Sequence, residues 1–268
     1  MTPAEMVFLA IASIASVVSL VARWTSKDSS GAQAPTIGAL VAIAGLTIVA
    51  TLRWIATGHP PIFGTYENSI ASSIAVLCVV VWLDLRSVAA VTSWHTRLLA
   101  AWAPLTLAYG QFFASTRLPL TISERSLWVD LHVTFAWAAY AVLLSASMAG
   151  VARLIDPDEN HHEMLDASIV RGIGMGFALF TGVIVVGSVY THELFAEWFR
   201  WEIVEVFSAA TWLAYGLALH ARLISGWRGR RLAWLVIVVV PLLLCSFWSW
   251  SIYQNTYHFF DIVPVPAF

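Results

Sequence analysis

The sequence predicts an all-α, polytopic membrane protein of about eight transmembrane helices in one bundle. Three observations predict it. First, 59% of the 268 residues are hydrophobic and only 11% are charged, with a mean hydropathy of +0.78, whereas a soluble domain is about a quarter charged. Too few charges exist to cover a water-facing surface. Second, eight apolar runs follow one another at 5–24, 36–56, 68–85, 97–115, 128–154, 168–190, 203–224 and 232–252, each about long enough to cross some 30 Å of hydrocarbon. Third, only short polar segments separate them. The composition excludes a soluble enzyme. It also excludes a nucleic-acid binder, because 14 Lys and Arg stand against 16 Asp and Glu with no basic run, and phosphate recognition needs a basic footprint. Disorder is excluded by 14 Trp, 7 Tyr and 14 Phe.

The elements follow in order. Glu5 precedes the first run and no basic segment does, so this run reads as a retained helix and not as a cleaved signal peptide. TSKDSSGAQAP (25–35) is a loop with Gly and Pro breakers. RLIDPDENHHEMLD (153–166), the most polar stretch, reads as a solvated connector, and SGWRGRR (225–231) as a tight basic turn. No soluble domain, low-complexity tract or internal repeat interrupts the pattern, so residues 1–268 read as a single transmembrane domain. The odd-numbered loops hold Arg23, Lys27, Arg86, Arg97, Arg153, Arg171, Arg222, Arg228, Arg230 and Arg231. The even-numbered loops hold Arg53, Arg117, Arg125 and Arg200. The excess of Lys and Arg marks the odd loops as cytoplasmic. Both termini and the even loops then face outward, and these carry the aromatic and histidine-rich segments 58–68, 123–132, 190–205 and 254–263.

Histidine is the residue type that could carry chemistry here. His132 stands at the outer start of the fifth run and His258 just past the outer end of the eighth; His220 lies near the inner end of the seventh. An ionisable side chain at a membrane helix end is costly unless paired or liganded. Two histidines at one membrane depth could clamp one haem iron from both sides, since neutral imidazole is a standard axial ligand. The alternative is a histidine bonded to a loop carbonyl. In FAEWFRWEIVE, Phe195, Trp198, Phe199 and Trp201 lie within seven residues beside Glu197, Glu202 and Glu205. They read either as an interfacial aromatic belt or as a flat shelf for a planar ligand. Cys78 and Cys245 form no CxxC motif and read as small core hydrophobes.

From Trp201 the chain runs WEIVEVFSAATWLAYGLALHAR. This resembles the cytochrome c assembly proteins of the CcsA (ResC) kind, which carry a tryptophan-rich WGxYWxWDPKE segment followed by a helix of the form TWLxYxxxLHxR. Without gaps, Trp201, Glu202 and Glu205 fall on the last Trp, the Asp and the Glu of that motif; Thr211, Trp212, Tyr215, His220 and Arg222 fall on the helix pattern. SLWVDLHVTFAWAAYAVL around His132, NTYHFF around His258 and GHPPIFGTYENSI (58–70) are similar to three further family segments, in the same order. The resemblance implies a polytopic protein that binds haem b and presents it at the outer face for attachment to apocytochrome c, working with a CcsB (ResB) partner. It implies His132 and His258 as axial ligands of the outer haem, residues 195–201 as a cover over the porphyrin, and His220 as a deeper haem ligand whose opposite ligand comes from the partner subunit.

The departures from the motif are Phe195 and Phe199 for Trp, Ala196 for Gly, Glu202 for Asp, and Ile203 and Val204 for Pro and Lys. Phenylalanine keeps a stacking face but loses the indole donor. Alanine forbids easy positive φ, so the loop path is expected to differ. Retained ligands with a drifted loop suggest a second reading: a resident haem b electron-transfer subunit between the quinone pool and an outer partner such as a c-type cytochrome. In that reading His220 needs a local axial partner, for which His95 is the candidate, against the plainer reading of a solvated histidine beside Arg97. Asp130, two residues before His132, could orient it or as easily be interfacial, and His161 and His162 read as solvated.

Overall fold

The computed structural model describes residues 1–25, 33–86, 93–113, 125–253 and 256–258. Lys27, Arg117, most of the 25–35 loop, residues 123–124 and the tail beyond His258 lie outside the described residues. The described chain is helical throughout its regular structure: α1 (Pro3–Thr25), α2 (Gln33–Thr57), α3 (Gly64–Arg86), α4 (Trp94–Gly110), α5 (Leu127–Ile155), α6 (His162–Phe195), α7 (Ile203–Leu223), α8 (Arg230–Val238) and α9 (Val240–Ile252). Counted among the described residues, seven stretches are long and apolar enough to cross a membrane, α8 and α9 together forming one of them. The run expected at 97–115 is α4, which has only 17 residues.

Local chemistry explains the ends. α1 begins in a capping box: the Thr2 backbone N–H donates to Glu5 Oε2 at 2.7 Å, and the Glu5 N–H donates to Thr2 Oγ1 at 3.2 Å. Ser93 caps α4, its side chain accepting from the Thr96 N–H. The expected connector over 153–166 is mostly helix: α5 runs to Ile155, a 3-10 turn spans Glu159–His161, and α6 starts at His162. His161 Nδ1 lies 2.9 Å from Asp156 Oδ2, so this histidine ties the turn together. The basic turn before α8 places Gly226 and Gly229 at positive φ. The last apolar run is broken at Val239, because Pro241 in the first turn of α9 has no N–H to continue the helix.

α5 is the central helix. Leu143 through Gly150 are all buried, so this segment is covered on every side, as expected of a helix that is apolar all round. Its closest neighbour is α6, where a Cβ on Gly172 would stand 2.7 Å from the Ala146 Cβ. Small residues thus let the two backbones approach, the usual basis of helix pairing in lipid. The main core gathers α3 to α9 around α5. A second core joins α1, α2, α3 and α4.

Two buried ion pairs lock α1 and α2 to α3, one at each end of the bundle. Arg23 grips Asp84 with both terminal nitrogens, at 2.9 and 2.6 Å, and Thr36 donates to the same carboxylate at 2.9 Å. Arg53 meets Glu67 through Nε at 2.7 Å and through its terminal nitrogen at 2.6 Å. Charge counting had placed both arginines in loops; each lies inside a helix and is buried. Cys78 is exposed on α3 and Cys245 is half-buried, so the expectation of two core thiols holds for neither in full.

Candidate functional site

A cleft of about 1160 Å³, counting the part open to its surroundings, lies at the end of the bundle where α5 and α7 begin and α6 and α9 finish. Its walls are mainly apolar: Val133, Trp137, Phe180, Val183, Phe247 and Trp250. Both histidines expected to bind iron line it, and their ring centroids are 6.5 Å apart. Two imidazoles on opposite sides of one metal, with metal–nitrogen bonds of about 2 Å, place their centroids about 6 Å apart. The pair therefore fits a shared axial site in separation.

His132 is held by α6. Its Nδ1 lies 3.0 Å from the Val183 carbonyl oxygen. A carbonyl only accepts, so Nδ1 carries the proton and Nε2 keeps its lone pair. The Val183 carbonyl orients the ring, so of the two readings of Asp130 the orienting one is not the one seen. The ring rests against Gly187, where an added Cβ would stand 2.8 Å from Nδ1.

His258 is held by the loop before α7. Its Nδ1 stands 2.6 Å from Glu202 Oε1, and Thr256 donates its hydroxyl to Glu202 Oε2. Glu205 forms the neighbouring tie. Its Oε1 accepts from the Tyr257 hydroxyl at 2.6 Å and its Oε2 from the Arg200 N–H at 2.6 Å. Tyr257 also meets Thr191 Oγ1 at 3.1 Å. Burial first, and the Glu205 carboxylate second, push the Tyr257 phenol well above its usual range, so it stays a donor. Two carboxylates thus bind the tail segment 256–258 to residues 200–205. The motif match marked both glutamates, but their partners became visible only in the fold.

The four aromatics expected to form one shelf separate. Phe199 lines the cleft. Phe195 packs on Tyr257 at 5.3 Å, with the Arg200 guanidinium 3.9 Å over its ring. Trp198 stacks on His192, ring centroids 4.1 Å apart and planes 1° apart, and stays 60% exposed. Trp201 is 80% exposed and meets Phe199 edge-on at 4.9 Å. The segment is one cleft-lining ring beside an exposed aromatic rim. Ala196 has φ +57° and ends α6 in the left-handed conformation. The loop therefore keeps the backbone turn that glycine would favour, contrary to the expected change of path.

The remaining histidines lie apart. His95 is buried, its Nε2 2.9 Å from the Ser145 carbonyl and 3.0 Å from the Ser145 hydroxyl, whereas His220 is exposed at the far end of α7. The structure does not bring them together, and His95 is not solvated either. His59 Nδ1 meets the Pro60 carbonyl at 2.9 Å.

A family model described as "Cytochrome C assembly protein" matches residues 3–258. The cytochrome c biogenesis protein CcsA of Synechococcus sp. (strain CC9605) is 30% identical, over 81% of this chain and 84% of its own. That of Prochlorococcus marinus (strain MIT 9303) is 27% identical, over 81% of each. Among solved structures, the cytochrome c heme lyase CcmF superposes with a TM-score of 0.68 at 14% identity, over 92% of this chain. The chain spans 47% of that protein's length, and at this identity the likeness is one of fold.

Proposed function

The chain belongs to the cytochrome c assembly protein family, and from that premise we propose that it holds haem b in the cleft, between His132 and His258, for delivery to apocytochrome c. The observation that carries this reading is the placement of two imidazoles, 6.5 Å apart, on one apolar cleft. His132 lies near the middle of the matched region and His258 at its end, so only the fold brings them together. His132 Nδ1 meets the Val183 carbonyl and His258 Nδ1 stands 2.6 Å from a Glu202 oxygen, an arrangement that favours Nε2 as the liganding nitrogen of each ring. The two imidazoles would hold the iron and shield it from oxygen. Thiol addition to the haem vinyl groups is the chemistry of the substrates; this chain supplies orientation and an apolar wall.

The exposed rim of Trp198 and Trp201 beside the cleft supports a surface open to an incoming cytochrome segment. Family membership speaks for assembly and against the resident electron-transfer subunit reducing or oxidising quinone. We place the cleft at the outer face of a bacterial inner membrane, with both termini outward, from the bias of Lys and Arg toward the opposite loops. His220, exposed at the other end of α7, would serve a second haem shared with a CcsB-like subunit.

The test is a reduced-minus-oxidised spectrum with a pyridine haemochrome assay on detergent-purified protein, alongside c-type cytochrome levels in cells. His132→Ala and His258→Ala are each expected to lose the haem b signal and cytochrome maturation together. Normal c-type cytochromes in the double variant would overturn the reading.

A further inference from the structure

The two imidazoles of the cleft are backed by different chemistry, and this supports an inference that rests on the proposed haem site. His132 leans on a neutral backbone carbonyl. His258 leans on a carboxylate: Nδ1 and Glu202 Oε1 are 2.6 Å apart. Both atoms are buried, and neither has a well-aligned hydrogen bond among the described residues. A buried polar atom left unsatisfied loses its hydration with nothing in return. At 2.6 Å the two atoms are close enough to share a proton.

Glu202 has an ordinary local use that it does not take up. It occupies the N-cap position of α7, where an acid can accept from the first-turn N–H groups and face the positive end of the helix dipole. Its side chain makes no such bond and turns instead to the tail. Its second oxygen accepts from Thr256, and Thr256 Oγ1 in turn accepts from the His258 backbone N–H at 3.2 Å. One carboxylate therefore holds both the ring and the turn that carries it.

We propose that Glu202 is the positioning residue of His258: its carboxylate accepts from Nδ1–H, aims Nε2 into the cleft and puts negative charge behind this one axial ligand. An imidazole that donates to a carboxylate is a more basic ligand than one without that partner. The axial pair is then unequal, with His258 the stronger donor to iron and His132 the weaker. Bound iron is held toward its oxidised state by the Glu202 side.

Two readouts test this. The first is 15N-histidine NMR on the haem-free protein in detergent, on the wild type, Glu202→Gln and Glu202→Asp. The expected wild-type result is His258 as the Nδ1–H tautomer with a strongly downfield proton. That proton should move upfield in Glu202→Gln and return in Glu202→Asp, while the His132 signals stay in place. The second is the midpoint potential of the haem-loaded protein, expected to rise in Glu202→Gln and to recover in Glu202→Asp. Haem retention should fall on the order of tenfold in Glu202→Gln, the usual effect of losing such a partner. An Nε2–H tautomer on wild-type His258 would overturn the proposal, as would a Glu202→Gln protein with unchanged His258 signals or an unchanged potential. If the Gln variant fails to fold, the wild-type tautomer decides alone. If wild type binds no haem, the proposed function fails, and the NMR result still judges the role of Glu202.

Discussion

A Cβ placed on Gly187 would stand 2.8 Å from Nδ1 of His132, so the position of this ring depends on a missing side chain in the helix it leans on. Gly187→Ala keeps α6 intact, and alanine is the better helix former. The methyl must push the imidazole away from the Val183 carbonyl, an overpacking of about 1–3 kcal/mol. The expected outcome is a folded protein with an unchanged circular dichroism spectrum and haem affinity roughly tenfold weaker. Haem titration of the purified variant checks it. Undiminished affinity would show that His132 does not need this seat.

Ala196 carries φ +57° at the end of α6. A residue with a Cβ in the left-handed region costs about 1 kcal/mol or more relative to glycine. Ala196→Gly removes that strain and restores the residue of the family motif. Stability is expected to rise by up to about 1 kcal/mol, with some loss to unfolded-chain entropy. A thermal melt in detergent is the measurement, and a lower midpoint would contradict the strain at this turn.

Much of the fold was legible because a membrane imposes lengths. Among the described residues the apolar runs fold as helix, and seven helical stretches are long and apolar enough to cross a membrane, since hydrocarbon leaves no alternative for the backbone polar groups. The departures have local causes. Pro241 breaks the last run, and the polar ends of α6 extend helix well beyond the apolar segment 168–190. His132 and His258 were legible through the motif match. What stayed hidden depends on tertiary register. Arg53 read as a loop charge until Glu67 of α3 came to face it. Nothing in the sequence marks Gly187; its role shows only where the His132 ring lies across it. The aromatic segment was legible as a cluster but not as separate rings, because its path is set by left-handed residues at Ala196 and Trp201 that no periodicity announces.

Tyr257 joins the tail to α6 and α7 at once, through Thr191 and Glu205. Its phenol is raised above the usual value of about 10 by burial and then by Glu205. A folded pKa above the unfolded one contributes stability that is fully present below about pH 10 and is lost as pH rises through the folded value. Tyr257→Phe should therefore remove one late-ionising phenol from the alkaline absorbance titration and flatten the high-pH end of the stability curve. A wild-type-minus-variant titration with a midpoint near 10 would contradict this placement.

Arg53 and Glu67 form a buried pair whose geometry reaches the cleft. Glu67 Oε1 takes the guanidinium, while Oε2 accepts from the Phe63 N–H at 3.1 Å. Asn68, the next residue, donates its amide to the Ile62 and Gly64 carbonyls at 3.1 and 3.0 Å. Both Ile62 and Asn68 line the cleft, so the ion pair anchors one wall of the proposed site. Removing one partner leaves an uncompensated buried charge, a loss of about 3–5 kcal/mol, whereas replacing both with apolar residues is often neutral. Arg53→Met alone should therefore lower stability sharply. Adding Glu67→Leu to Arg53→Met should recover most of it while removing the Glu67 oxygen that the Phe63 N–H meets. The double variant is then expected to melt close to wild type yet bind haem more weakly, because residues 58–63 lose one of their ties to α3 and keep that of Asn68 to Ile62. Thermal melts and haem titrations of the single and double variants separate the two effects. Full haem affinity in a stable double variant would show that the pair serves the bundle alone.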